Sequence, residues 1–218
     1  MAIDKILKTG IVPIFSHSDT EICLKVVETC YNAGLKAFEF TNRTENSLEV
    51  FEWLIAQKKT KMPDLALGIG TVFNKKTAES FLKVGAEFIV SPIFGLDIMK
   101  ICKQYDIPYI PGVFSPAEIY NAHNKGANLV KIFPGEGISP NYIKALRGPM
   151  PTIKIMVTGG VTAEKESIEK WFGAGANCVG MGSKLISSEA IQNSSFDTIT
   201  NKIEACLQSV KPFLNLSS

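Results

Sequence analysis

One unit recurs along the 218 residues of this chain: a short run rich in β-branched residues, a polar or glycine exit, an amphipathic stretch, then glycine or proline before the next run. The runs are Ile11–Phe15, Ala37–Thr41, Leu65–Gly70, Phe88–Ser91, Tyr109–Gly112, Leu129–Phe133, Ile153–Thr158 and Cys178–Met181. Apolar residues spaced three and four apart predict helices between them, near 20–32, 46–58, 75–84, 96–105, 116–125, 140–147 and 164–172. A last helix is expected near 197–211. Start signals agree: Ser18-x-x-Glu21 and Ser115-Pro116-Ala117-Glu118 read as capping boxes, and Ser139-Pro140 opens a helix with proline in its first turn. Gly34, Gly85, Gly126 and Gly173 read as stops.

Strand–helix units in strict alternation predict a parallel sheet closed on itself, an α/β fold of the (β/α)8 TIM barrel type. A short helix over 2–9 would cap its bottom. An open doubly wound sheet is the competitor, but Ile11-Val12-Pro13-Ile14-Phe15-Ser16 stands where a G-x-G-x-x-G turn would follow the first strand. With no linker or low-complexity tract to divide it, the chain reads as a single barrel domain over 1–218.

Composition narrows the function. A balance of 23 basic and 21 acidic residues, with neither sign clustered, argues against nucleic acid or an anionic membrane as partner. No run reaches the roughly 20 apolar residues of a membrane span, and the first residues lack the apolar core of a signal peptide. Cys23, Cys30, Cys102, Cys178 and Cys206 have no C-x-x-C spacing and lie on apolar faces, as small hydrophobes of a reducing cytoplasm would. Only two histidines occur, so a three-His zinc site is unavailable, and neither metal nor cofactor is expected. His123 falls on a helix surface, while His17 lies in the first strand–helix loop, near the mouth, with no partner visible in sequence.

Chemistry in such barrels sits at the carboxyl ends of the strands. In the sixth run, parity places Leu129, Lys131 and Phe133 on one face. An ammonium group among these neighbours either snorkels to water along its stem or serves the enclosed face. Burial disfavours the charged form of an amine, and a neutral amine is what imine catalysis requires. The second run brings Glu39, Thr41 and Arg43 to one face, as a structural ion pair or as a working set of carboxylate, hydroxyl and guanidinium. Thr158-Gly159-Gly160 and Gly182-Ser183 follow the seventh and eighth runs, where backbone N–H groups can cradle a phosphate. Lys184, next in line, reads as a surface residue or as added charge. Thr71 is open between a helix cap and a site role, and Ser91 reads as the cap of the helix that follows it.

These residues resemble the KDPG/KHG aldolase family, the 2-dehydro-3-deoxy-6-phosphogluconate and 4-hydroxy-2-oxoglutarate aldolases. Gly34-Leu35-Lys36-Ala37-Phe38-Glu39-Phe40-Thr41-Asn42-Arg43 is similar to the first active-site motif of that family. Gly126-x-x-x-Val130-Lys131-Ile132-Phe133-Pro134 resembles the motif that carries its Schiff-base lysine. Gly70-Thr71-Val72, Ser91-Pro92, Ile110-Pro111-Gly112, Thr158-Gly159-Gly160 and Gly182-Ser183 match in order. The resemblance implies that Lys131 forms the imine and Glu39 moves protons. It implies that Arg43 and Thr71 hold the substrate carboxylate, and that Phe133 and Pro92 pack against the substrate. Thr158, Gly159, Gly160, Gly182 and Ser183 would bind the distal phosphate, in a homotrimer without metal.

The implied reaction cleaves 2-dehydro-3-deoxy-6-phosphogluconate to pyruvate and glyceraldehyde 3-phosphate, with 4-hydroxy-2-oxoglutarate as a second substrate. Phe40, Asn42, Ile93, Phe114, Ile132 and Gly135 depart from the family's usual residues. None removes a reacting group, so they bear on the substrate rather than the reaction. The alternatives are an aldolase for the 2-dehydro-3-deoxy-6-phosphogalactonate series, a phosphate-binding isomerase or epimerase without imine chemistry, and a non-catalytic barrel that binds a sugar acid.

Overall fold

The computed structural model describes residues 1–214. Its strands are β1 (Ile11–Phe15), β2 (Ala37–Thr41), β3 (Ala66–Gly70), β4 (Ile89–Val90), β5 (Tyr109–Ile110), β6 (Gly112–Val113), β7 (Val130–Ile132), β8 (Ile155–Thr158) and β9 (Cys178–Met181). They pair in parallel in the order β5-β4-β3-β2-β1-β9-β8-β7-β6. Eight runs give nine strands because of Pro111. A proline has no N–H for the ladder, so the fifth run divides into β5 and β6 around it. Its carbonyl still accepts from the Lys131 N–H at 2.9 Å. As β5 pairs with β4 and β6 with β7, the one interrupted run closes the cylinder.

Alternation along the strands sorts their side chains into two apolar sets. Outward residues, among them Phe38, Phe40, Leu67, Val130 and Ile132, pack beneath the helices. Inward residues Val12, Ala37, Ala66, Phe88, Val90, Ile110, Leu129, Met156 and Cys178 fill the lower half of the barrel. The expected N-terminal helix, α1 (Ala2–Thr9), closes that end with Ile3 and Ile6. A fully buried side chain of this size contributes about 1.5–3 kcal/mol over its exposed state, so the plugged half anchors the fold.

Local signals hold with three corrections. The Ser115–Glu118 capping box forms, and the amides of Ser115 and Phe114 hold the Glu118 carboxyl below the usual carboxylate range. Ser18, however, does not cap α2 (Thr20–Asn32); Asp19 does, accepting from Ile22 N at 3.0 Å. The Asp19 N–H donates to His17 Nδ1 at 3.0 Å and leaves Asp19 extended, so the helix starts one residue later. Gly34, Gly85 and Gly126 take positive φ behind their helices, whereas the fourth such position is Gly175, two residues past Gly173.

The third correction concerns Ser91. It caps nothing, because the N-cap of α5 (Leu96–Gln104) is Gly95. Its hydroxyl instead lies 2.5 Å from the Tyr109 hydroxyl, and both reach the Ile93 carbonyl.

Candidate active site

Lys131 lies at the centre of β7 and points into the barrel. Its Nζ is 3.4 Å from Glu39 Oε1, and the two side chains expose 8% and 1% of their surface. Snorkelling is therefore not what this lysine does. Glu39 Oε2 is buried without a hydrogen-bond partner. An orphaned buried acceptor costs about 1–3 kcal/mol, more when charged, so the arrangement is a poor device for stability alone. A Cβ on Gly70, the last residue of β3, would collide with the Glu39 carboxylate, so this inward position needs glycine. Thr71 follows at φ 63°, a strained conformation for a β-branched residue. The Phe133 ring walls the amine, its centroid 5.4 Å from Nζ.

Arg43 does not form the internal ion pair with Glu39 that the sequence left open. It is exposed at the mouth and makes no ion pair among the described residues. Its planar fork is free for a carboxylate. Thr41, between them in sequence, is tied across to β1, its hydroxyl donating to Ser16 Oγ at 2.8 Å.

A cavity of about 710 Å³ opens at the carboxyl ends of the strands. Of the expected residues, Arg43, Phe133, Thr158, Gly159, Gly160, Gly182 and Ser183 line it. Lys131 and Glu39 sit deeper, with Phe133 bordering both the amine and the cavity. Thr71 and Pro92, on the β3 and β4 side, do not line it. Gly159 and Gly160 have successive φ values of 91° and 68°, a backbone that only glycine adopts readily and that turns amides toward an anion. The Thr158 hydroxyl is buried beside them with no partner.

Several cavity residues were not anticipated. The 3-10 turn Gly135–Gly137 lays the Glu136 carboxylate over Gly159 at the edge of the glycine cup. A short helix, α9 (Ser188–Gln192), adds Ser188, Ile191 and Gln192. Its start was legible in Ser187, which caps it by accepting from Ala190 N at 3.2 Å, but five residues are too few to show a period. Lys184 is exposed and also lines the cavity, so its two readings are compatible.

Other nucleophiles are muted. All five cysteines are free and buried, and burial pushes the Cys23 and Cys102 thiols up to about 12, well above the range of reactive thiolates. Among the described residues, no group of three or more His, Cys, Asp or Glu side chains converges to hold a metal ion, and no helix is long and apolar enough to cross a membrane.

Known proteins resemble this chain in both sequence and fold. The family model for KDPG and KHG aldolase matches residues 3–202. The 2-dehydro-3-deoxy-phosphogluconate aldolase of Haemophilus influenzae is 29% identical over 210 residues, covering 96% of each chain. Its counterpart from Pseudomonas aeruginosa is 32% identical over 153 residues, 70% of this chain and 68% of that one. Among solved structures, a KDPG aldolase from Legionella pneumophila, with pyruvate captured at low pH as a covalent carbinolamine intermediate, aligns with a TM-score of 0.83 at 28% identity, over 94% of this chain and 98% of that chain. A thiamine phosphate pyrophosphorylase from Pyrococcus furiosus shares the fold at a TM-score of 0.72 and 14% identity, over 94% of this chain and 97% of that chain. The barrel alone thus does not select a chemistry, whereas the family match spans the whole set of strand-end residues. The chain belongs to the KDPG and KHG aldolase family.

Proposed function

We propose that this protein is a class I aldolase, a carbon–carbon lyase, that cleaves 2-dehydro-3-deoxy-6-phosphogluconate to pyruvate and glyceraldehyde 3-phosphate. 4-Hydroxy-2-oxoglutarate, giving pyruvate and glyoxylate, is its second substrate. One observation carries the reading: a buried amine, Lys131, faces a buried carboxylate with a free oxygen, Glu39, inside a barrel whose mouth holds a glycine cup.

Lys131 Nζ adds to the C2 carbonyl of the 2-oxo acid, and loss of water gives the imine. In its protonated form the imine accepts the electron pair of the C3–C4 bond as that bond breaks. The proton of the C4 hydroxyl passes to Glu39 through water, and the aldehyde leaves. The remaining enamine regains a proton at C3, and hydrolysis frees pyruvate and Lys131. A positioned base of this kind is worth about 10²–10⁴ in rate. Arg43 and Thr71 hold the substrate carboxylate, and Phe133 and Pro92 pack against the carbon chain. Thr158, Gly159, Gly160, Gly182 and Ser183 receive the distal phosphate.

The assembly we infer is a homotrimer. Phe73, Ile93 and Phe114, in the loops after β3, β4 and β6, expose 56%, 53% and 40% of their surface on one side of the mouth, an apolar rim suited to another copy. Five unpaired buried cysteines suit the reducing cytoplasm. Reduction with borohydride in the presence of pyruvate, followed by peptide mass spectrometry, is expected to place the adduct on Lys131. An adduct on another residue, or none, overturns the imine. Sedimentation checks the trimer.

A further inference from the structure

We infer that His17 is a specificity-determining contact that donates a hydrogen bond to an oxygen at the distal end of the substrate, beyond C4. The inference rests on the aldolase reading above and deepens it.

Register puts His17 between the two halves of the site. β1 pairs with β9 on one side, Pro13 opposite Met181, and with β2 on the other, Phe15 opposite Phe40. Two residues past β1, His17 therefore stands between the Gly182-Ser183 turn and the loop of Arg43, and it lines the cavity with them. A substrate anchored at C2 on Lys131, with its distal end in the cup, lies in the cavity that this residue borders.

The ring is held twice. Its plane lies 5° from that of Phe15, with centroids 6.4 Å apart. Its Nδ1 accepts the Asp19 N–H at 3.0 Å, in the turn that starts α2. A neutral imidazole whose Nδ1 lone pair is occupied carries its proton on Nε2. Among the described residues, nothing accepts that N–H. The turn itself uses only Nδ1, so a short Asn or Asp side chain would serve it equally well. What the imidazole adds is a donor on a ring that lines the cavity. That donor matches a phosphoryl oxygen or the C5 hydroxyl, both acceptors beyond the cleaving bond.

Two substitutions separate this role from a structural one. His17→Phe keeps the flat ring and loses the donor, while His17→Gln keeps a donor. Three rates are compared in each: cleavage of the phosphorylated six-carbon 2-oxo acid, cleavage of its unphosphorylated form, and exchange of the pyruvate C3 protons with deuterium oxide. Exchange needs only the imine half of the site. His17→Phe is expected to lower kcat/KM for the phosphorylated acid about tenfold, chiefly through KM, with exchange unchanged and part of the loss restored in His17→Gln. A loss confined to the phosphorylated acid assigns the bond to phosphoryl oxygen, and a loss on both acids assigns it to the C5 hydroxyl. Unchanged cleavage in His17→Phe, or exchange that falls in step with cleavage, overturns the inference. Failure of exchange in the unaltered protein overturns the aldolase reading instead.

Discussion

Leu129 and Lys131 lie two residues apart in one run and face the same interior, yet their surroundings obey different rules. Leu129 packs with Val12, Phe88, Val90, Ile110 and Met156, each at most 1% exposed and none with a polar side chain. Lys131 meets a carboxylate with one oxygen unpartnered, and the Thr158 hydroxyl nearby is orphaned as well. Packing is complete in the lower half and polar satisfaction is incomplete in the upper half. A buried ion pair at best breaks even against apolar groups of the same volume. The upper half therefore costs stability, and the plugged lower half, together with the helices outside, offsets it. The upper half also carries backbone strain: Thr71, a β-branched residue at positive φ, sits at the mouth.

Substitutions on either side should give opposite signatures. Glu39→Gln keeps shape and removes the base, so kcat for cleavage is expected to fall about 10²–10⁴ with the far-ultraviolet spectrum unchanged. Pyruvate release coupled to lactate dehydrogenase reads this directly. Retained turnover would make Glu39 no more than a partner for the lysine charge. Leu129→Ala is expected to do the reverse, costing about 2–5 kcal/mol in urea unfolding through the cavity it leaves, while kcat per folded molecule holds. If Leu129→Ala lowers kcat as Glu39→Gln does, the two halves are not separable.

How much of this division was legible depends on the range of the interaction. Parity within a run put Leu129, Lys131 and Phe133 inward, as it put Glu39, because period-two alternation is local. The boundaries of α2 and of the helix Pro140–Arg147 were readable from apolar spacing and from Pro140 in its first turn. That Lys131 and Glu39, 92 residues apart, would meet at 3.4 Å was not readable, because it depends on closure of the whole cylinder. The same limit explains Arg43, which shares parity with Glu39 but lies beyond the strand end and swings into solvent. Ser91 was misread for a related reason: its partner, Tyr109, lies on the neighbouring strand and competes with the local capping pattern.

That Ser91–Tyr109 contact supplies the smallest and most selective test, at the rim where the two halves meet. The Tyr109 hydroxyl touches Ser91 Oγ and the Ile93 carbonyl and accepts from Gly95 N at 3.0 Å, so it ties down the loop that carries Pro92. Burial pushes this phenol up to about 12 from its ordinary value of 10, against the opposing pull of the Ser91 hydrogen bond. The folded state thus keeps a proton that the unfolded chain releases first. Its contribution is complete below about pH 10 and is lost as pH rises toward 12, a fall of about 2–3 kcal/mol over that window. Tyr109→Phe has no such proton to hold. Near neutral pH it should be less stable by about 1 kcal/mol, the net worth of the lost hydrogen bonds. Between pH 10 and 12 the gap should close and then reverse, because only the unaltered protein loses the phenol's contribution. Urea unfolding of both proteins at stepped pH measures the gap. A gap that stays constant to pH 12 would mean that the hydroxyl is solvated, and that the loop bearing Pro92 is held by packing rather than by the tyrosine.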